Sequence, residues 1–221
     1  MLQSTDDKLF WLWAMLSIPT LASSYVPVLG LASRHGKTLS MNDHQWTVPK
    51  RWFTHFYVVG VLVSVLVMMN RQYSLLSFLF CFQCSRRLIE SVLLFPGKKE
   101  SRMSLLAYLV GIVFYPLVRL SILVGGSELD YYACFLFVVS SCIQFWSHSI
   151  LHSMKGYRIP SDGPFRYTLF PHYLAEVGIY IAFAVLGGKA LWGCAGFVSV
   201  GLLVNARNQR LWYSNVVGKV H

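Results

Sequence analysis

Long apolar segments that contain polar residues at helical spacing constrain this chain more than any other feature. Hydrophobic residues make up 55% of the 221-residue sequence and charged residues 13%, against roughly 25% charged residues in a soluble domain. Gln144, His148 and His152 recur at every fourth position of one apolar stretch, and His172 and Glu176 are four apart in another. Hydrocarbon disfavours such groups unless they face a partner or a wet cavity. The pattern therefore predicts a functional site inside a membrane protein, and it suggests an enzyme that acts on a membrane-dissolved substrate.

Several of these segments approach the ~20 apolar residues that cross a bilayer. We predict an all-α, polytopic membrane protein with about seven transmembrane helices, which forms a single domain over residues 1–221. The predicted spans are 9–31, 53–69, 73–95, 105–124, 131–151, 173–186 and 190–204.

The distribution of charge predicts the orientation and the partners of the chain. Basic residues in 98–102, in 155–166 and in the C-terminal tail place these loops on the cytoplasmic side, with the acidic turn 128–130 opposite. By the same count the loop that contains Lys50 and Arg51 lies on the far side, which suggests that this loop enters the protein or that one of the first two boundaries is wrong. The net charge of +10 fits an anionic membrane surface. We expect membrane lipids and no nucleic acid as partners, because the charges lie between apolar segments.

Two carboxylates are embedded in apolar sequence, and each follows a polar residue by one helical turn. Glu90 follows Arg86, and Glu176 follows His172, at a spacing of four, which places each pair on one helix face. Such a pair is either a structural ion pair between packed helices or part of a functional site. The face that carries Gln144 is open to the same two interpretations, since polar side chains also hold membrane helices together.

The histidine spacing and one loop suggest ligands of other kinds. Two histidines four apart can bind zinc, but the sequence has neither an HExxH pattern nor an evident third ligand, so we predict no metal site. The loop 157–166 carries Arg158 and Arg166 among proline and glycine. It suits either phosphate binding or contact with lipid headgroups.

Three sequence blocks carry a family resemblance. The first, 48–57, reads VPKRWFTHFY, and the second, 85–90, reads SRRLIE. The third runs from Gln144 and His148 through YRIP at 157–160 to PHYLAE at 171–176. In this order and spacing the blocks resemble the steroid 5-alpha-reductase family, and specifically its polyprenol reductase branch.

The resemblance implies a seven-helix fold in the endoplasmic reticulum membrane, with NADPH held from the cytosolic side. It also implies that hydride passes to a carbon–carbon double bond conjugated to a carbonyl. The leading interpretation is a reductase that saturates the α-isoprene unit of a long polyprenyl lipid, which yields dolichol for protein N-glycosylation. The residues implied for NADPH binding are Arg86, Glu90, Gln144, His148, Tyr157, Arg158, His172, Glu176, Asn205 and Tyr213.

The chemistry of hydride addition indicates which kind of carbon–carbon double bond the enzyme can reduce. Hydride adds poorly to an isolated alkene, whereas an enal spreads the developing charge onto oxygen, where a hydrogen-bond donor stabilises it. We therefore predict a polyprenal substrate, with hydride at its β carbon and with His55, assisted by Gln83, polarising the oxygen. His55 has a second interpretation as a structural histidine at the membrane interface. The steroid enzymes have a catalytic tyrosine at the position of Gln83 and a glutamate that has no counterpart here, so the proton donor stays unassigned.

The C-terminus and the substrate leave other functions open. Family members continue past the equivalent of Trp212 and Tyr213 with a segment of the YPKxRxAxIPF type, whereas this sequence reads SNVVGKVH over 214–221. We therefore expect a C-terminal segment that is shortened relative to the family, and a catalytically inactive lipid-binding protein is one alternative. A reductase of steroid enones is another. A methyltransferase of the isoprenylcysteine type is a third, against which the RRxxE and PHYLAE blocks argue.

Overall fold

The computed structural model describes residues 2–23, 46–70, 73–94, 101–126, 128–154 and 158–217, and these residues are mostly helical. A short antiparallel pair of strands, β1 (Thr47–Pro49) and β2 (Arg102–Ser104), accompanies the helices. The predicted all-α, polytopic membrane fold is confirmed. The α-helices of the described residues are α1 (Leu2–Ala22), α2 (Thr54–Met69), α3 (Leu75–Leu93), α4 (Leu105–Gly125), α5 (Tyr131–Ser153), α6 (Pro171–Gly187) and α7 (Lys189–Val217).

Not every helix has the length and composition of a membrane span. Among the described residues, α6 is shorter, with 17 residues, and α3 carries two arginines and a glutamate in its second half. About seven membrane crossings therefore stays a prediction. Four helical segments are long and apolar enough to cross a membrane, namely Lys50–Met69, Leu105–Gly125, Tyr131–Ser153 and Lys189–Ser214.

The helix bounds differ most from the predicted spans at the two ends of the chain. Helix α1 begins at Leu2, seven residues before the predicted span, and residues 24–31 of that span lie outside the described residues. Helix α7 continues to Val217, past the predicted end at 204. The added part of the helix is polar, and its Asn205 and Gln209 lie on one face because they are four residues apart.

The pairing of β1 with β2 defines one end of the bundle, which we call the β end. It places the start of α2 beside the start of α4, with Pro49 opposite Arg102. The expectation that Lys50 and Arg51 lie on the far side from the basic loops is therefore wrong, and two predicted spans between this loop and 98–102 already place both loops on one side. These residues directly follow β1, so they lie at the same end as Arg102. Lys50, Arg51 and Arg102 thus lie at one end of the bundle, as the positive-inside rule favours.

The opposite end, which we call the cap end, is held by a helix cap and by close backbone packing. Asp6 Oδ1 in α1 accepts a hydrogen bond of 2.9 Å from the backbone N–H of Ala190 at the start of α7. A Cβ added at Gly125 would overlap the carbonyl oxygen of Gly187, so only glycine allows the ends of α4 and α6 to come this close. Gly188 connects α6 to α7 at φ +94°, a conformation that glycine adopts without strain.

An apolar core lies between the two ends. Its large buried side chains include Trp13, Phe80, Phe183 and Leu191. The indole N–H of Trp13 donates to Ser121 Oγ over 3.1 Å, which satisfies the one polar atom of that side chain. Because lipid tails are as apolar as the core, close packing and such hydrogen bonds hold membrane helices together.

Candidate active site

The charged residues of the candidate site surround one carboxylate near the end of α3. Glu90 is 2% exposed, and its two oxygens pair with Arg86 and Arg87 from the preceding turn. His148 of α5 brings its Nδ1 atom to 2.7 Å from Oε2 of the same carboxylate. A carboxylate buried alone would be destabilising. Here two guanidinium groups and one imidazole neutralise and orient it, and they join α3 to α5.

Gln144 extends this arrangement from α5 to α6. Its carbonyl oxygen accepts a hydrogen bond from Arg86, and its Nε2 donates to Glu176. Gln83 lies beside it and accepts a 2.8 Å hydrogen bond from Arg86 through Oε1. Gln144 precedes His148 by one helical turn, so a single face of α5 reaches both neighbouring helices.

A tyrosine joins α2 to the same site. Nη2 of Arg87 donates to the hydroxyl oxygen of Tyr57 over 2.9 Å, and the guanidinium carbon lies 5.2 Å from the centroid of the ring. Tyr57 is 4% exposed. The site therefore draws on α2, α3, α5 and α6. We call the following set the polar cluster: Tyr57, Gln83, Arg86, Arg87, Glu90, Gln144, His148 and Glu176.

His172 borders the polar cluster at the N-terminus of α6. The centroid of its ring lies 5.7 Å from that of His148 and 6.0 Å from that of Phe165. The adjacent Tyr173 accepts a hydrogen bond of 2.5 Å from Gln209 of α7. The polar half of α7 is thereby held against the start of α6, next to the cluster.

Three buried nitrogen atoms in and beside the cluster lack a hydrogen-bond partner within the described residues. They are Nε of Arg86, Nε of Arg87 and Nδ1 of His172. Buried polar atoms of folded proteins are nearly always paired, so these atoms mark places where a ligand with acceptor atoms fits. Phosphate, ribose and amide oxygens of a dinucleotide are such acceptors, and arginine is well suited to phosphate. The residues present therefore fit the predicted NADPH.

The structure brings many of the predicted site residues into one contiguous arrangement. Each of them lies on α3, α5 or α6, and each contacts at least one other member. The roles that the sequence predicts for them in NADPH binding and catalysis stay predictions. The residues that the structure brings together are Gln83, Arg86, Glu90, Gln144, His148, His172 and Glu176.

The predicted catalytic His55 lies apart from this arrangement. It is exposed on α2, where its Nδ1 lies 3.1 Å from the hydroxyl of Tyr108. Its ring also packs against Trp52, with centroids 5.7 Å apart. These contacts fit the interpretation of His55 as a structural histidine at the membrane interface, and its catalytic role stays a prediction.

The remaining predicted NADPH residues lie around the β end or outside the described residues. Arg158 is exposed in the segment before α6, and Asn205 and Tyr213 are half-buried on α7. Tyr157 falls outside the described residues.

Sequence reasoning missed three residues that the structure places at the site. Arg87 is the second arginine of the RRxxE block, and its spacing of three from Glu90 could have indicated the ion pair. Tyr57 ends the VPKRWFTHFY block, but its partner Arg87 is 30 residues away. Tyr173 pairs with Gln209 across 36 residues. Helical periodicity carries no signal for such contacts between helices.

Two further observations concern polar groups elsewhere. Within the described residues, no three His, Cys, Asp or Glu side chains form a group that could hold a metal ion. Arg119 of α4 is 1% exposed and donates to Ser77 Oγ over 2.6 Å. Ser77 lies in the first turn of α3, toward the cap end, so Arg119 is not part of the polar cluster.

Comparison with known families covers the C-terminal part of the chain. Residues 128–220 match the family model described as 3-oxo-5-alpha-steroid 4-dehydrogenase. This segment contains α5, α6 and α7, which supply Gln144, His148, His172 and Glu176.

Curated relatives extend the comparison toward the N-terminus. The chain is 30% identical to polyprenal reductase of Saccharomyces cerevisiae over 62% of its own length and 56% of that protein. It is 26% identical to polyprenal reductase 1 of Arabidopsis thaliana over 84% of its length and 82% of that protein. The match to polyprenal reductase of Caenorhabditis elegans, also 26% identical, covers 62% of this chain and 63% of that protein. The chain thus spans little more than half of the yeast relative. The match of residues 128–220 to the steroid dehydrogenase model and the similarity to three polyprenal reductases agree with the resemblance that the three sequence blocks carry.

Proposed function

We propose that this protein is an NADPH-dependent reductase of polyprenal in the endoplasmic reticulum membrane. The observation that carries the proposal is the polar cluster, in which side chains from four helices of a membrane protein converge and some buried nitrogen atoms stay unpaired. Such groups are costly in a bilayer unless they serve a site. The names of the relatives from yeast, Arabidopsis and Caenorhabditis support the substrate class.

The dinucleotide would be held from the β end, where the basic segments lie. Arg86 and Arg87 offer guanidinium donors, and His172 offers an unpaired ring nitrogen. When bound, NADPH supplies a hydride and its electron pair. The full set proposed for binding is Arg86, Glu90, Gln144, His148, Tyr157, Arg158, His172, Glu176, Asn205 and Tyr213.

The substrate chemistry favours an aldehyde over an alcohol. Hydride addition at the β carbon of an enal places negative charge on the carbonyl oxygen, where hydrogen-bond donors stabilise it. For this stabilisation we propose the pair that the sequence predicts, with Gln83 in the polar cluster and His55 on an exposed face of α2 outside it. His55→Ala is expected to lower kcat by about 100-fold, the typical loss for one donor to a developing oxyanion. Full activity in this variant would remove His55 from the mechanism.

The product would be the saturated polyprenal, which a later alcohol-forming step converts to dolichol. This places the protein in lipid metabolism that supports protein N-glycosylation. The lipid chain would enter from the bilayer, since the described helices present many exposed apolar side chains on their outer faces.

Turnover with labelled cofactor tests the proposal. The protein, in liposomes, is given a polyprenal and NADPH deuterated at one face of the nicotinamide, and the product is analysed by mass spectrometry and NMR. We expect deuterium at the β carbon for the wild-type protein, and a loss of transfer in Glu176→Gln, where Gln144 no longer meets a carboxylate.

Glu128→Gln is the matched control, because Glu128 is an exposed carboxylate at the cap end. It should transfer deuterium at the wild-type rate. Absence of transfer from a folded wild-type preparation would contradict the proposal, and transfer to a steroid enone instead would replace the polyprenal with a steroid.

A further inference from the structure

Reduction of an enal needs a proton as well as a hydride. After hydride reaches the β carbon, the substrate is an enolate, and the α carbon must receive a proton before a saturated aldehyde can leave. The following inference rests on the proposed function, since it concerns the second half of that reaction.

Most side chains of the polar cluster are poor sources of this proton. Arginine remains protonated in proteins, and glutamine amides are not acids in this range. Glu90 and Glu176 accept hydrogen bonds from arginine and glutamine donors, as ionised carboxylates do. Nδ1 of His148 lies between Arg87 at 2.8 Å and the carboxylate of Glu90 at 2.7 Å, so this atom already contacts two partners of the cluster.

Tyr57 is the phenol within the cluster, and its surroundings suit proton donation. The hydroxyl oxygen accepts a hydrogen bond from Arg87 over 2.9 Å, so the phenolic hydrogen is not used in that contact. Tyr115 of α4 faces the ring edge-on, with centroids 5.6 Å apart. The hydroxyl therefore sits in a buried, aromatic environment beside a fixed positive charge.

The positive charge of Arg87 would also stabilise the Tyr57 phenolate that remains after proton transfer. A phenolate at Tyr57 would face a guanidinium that already points at its oxygen. Charge stabilisation by a group that needs no rearrangement is strong in a site of low dielectric constant. Arg87 is itself held in place by Glu90, so it cannot easily turn away.

We propose that Tyr57 is the catalytic residue that protonates the α carbon, with Arg87 as its positioning residue. The β carbon has received a hydride with its electron pair from the reduced nicotinamide, which is thereby oxidised, and the former C=C pair has moved into the enolate. As the C=O bond reforms, a new C–H bond forms at the α carbon and the O–H bond of Tyr57 breaks. The phenolate then regains a proton from water.

Hydrogen–deuterium exchange at the α carbon, measured without cofactor, tests the proton transfer separately from hydride transfer. By microscopic reversibility, the protein should remove and return the α hydrogens of the saturated aldehyde in D2O, so that deuterium accumulates at the α carbon. We expect Tyr57→Phe to slow this enzyme-dependent exchange by 100-fold or more, the usual range for a lost acid or base. NADPH affinity, measured by fluorescence titration, should stay within about threefold of the wild-type value.

Tyr180→Phe is the matched control. Tyr180 is 3% exposed and packs against Phe114 and Phe183, and no arginine contacts it in the described residues. Its exchange rate should stay within about threefold of wild type. Should Tyr57→Phe fold poorly, 3-fluorotyrosine at position 57 keeps the hydroxyl and the packing, and its more acidic phenol must change the exchange rate.

Two outcomes overturn the assignment. One is exchange in folded Tyr57→Phe, or in the fluorinated protein, at the wild-type rate. The other is no exchange by a wild-type preparation that does transfer hydride. Failure of hydride transfer in the wild-type protein would instead remove the proposed function, so the two results are distinguishable.

Discussion

The β end and the cap end of the bundle use similar polar residues in different ways. At the β end, Glu90 pairs with side chains of α3 and α5. Neighbouring buried nitrogen atoms, such as Nδ1 of His172, stay unpaired. At the cap end, Asp6 and Asp7 of α1 each meet one partner at the start of α7. A network with spare donors is typical of a site that binds a ligand, whereas single satisfied pairs are typical of helix capping.

The difference shows what distinguishes function from architecture in an intramembrane position. A polar residue alone does not indicate a functional site, because both ends of the bundle contain polar residues. A functional site is indicated where side chains of several helices converge and buried polar atoms stay unpaired. Arg119 is the exception at the cap side, since Ser77 satisfies only part of its guanidinium, and no other contact in the described residues explains it.

The largest expected effect comes from removing the charge at the centre of the β end. Glu90→Gln leaves Arg86 and Arg87 without their shared counter-charge, which should lower the free energy of unfolding by about 3–5 kcal/mol and abolish turnover. Denaturant titration in detergent measures the stability. Glu128→Gln, which alters an exposed carboxylate, should change it by less than about 0.5 kcal/mol. Equal effects of the two variants would show that the cluster is not a buried charge network.

A smaller loss is expected where the backbones meet at the cap end. Gly125→Ala must push the ends of α4 and α6 apart, because the new methyl would overlap the carbonyl of Gly187. The expected destabilisation is about 1–3 kcal/mol, with hydride transfer per folded molecule unchanged. Gly196→Ala is the control, since a Cβ added there would meet no atom within 4 Å, and it should be neutral or slightly stabilising. A loss of transfer in folded Gly125→Ala would contradict a purely structural cap end.

The helix cap at Asp6 should matter less. Asp6→Ala removes the acceptor for the N–H of Ala190, a change that typically destabilises by about 1 kcal/mol. Thermal unfolding of the detergent-solubilised protein measures it. Unchanged stability would mean that water replaces the cap without cost.

The smallest effect is expected at the neighbouring surface pair. Asp7 and Lys189 are 42% and 49% exposed at their side chains, and exposed ion pairs contribute little. Asp7→Ala should therefore change the free energy of unfolding by less than about 0.5 kcal/mol. Unfolding at low and high salt checks this, since a larger change that persists at high salt would indicate a pair shielded from solvent, against its exposure here.

Much of the fold and part of the site followed from periodicity. Spacings of four predicted that Arg86 and Glu90 share a face, and that Gln144 and His148 do, and both pairs belong to the polar cluster. The bond between Arg87 and Tyr57 joins two helices, and no spacing within one helix predicts it. The three-residue strands β1 and β2 are too short for an alternating pattern, so their pairing was not predicted.

The most direct test measures hydride transfer and stability on one variant from each end. Glu176→Gln and Asp6→Ala are prepared beside the wild-type protein, and deuterium transfer from labelled NADPH to polyprenal is recorded with the unfolding temperature. We expect Glu176→Gln to lose transfer while it stays folded, and Asp6→Ala to lose stability while it transfers normally per folded molecule. The reverse pattern, or transfer by Glu176→Gln at the wild-type rate, would contradict the assignment of function to the β end.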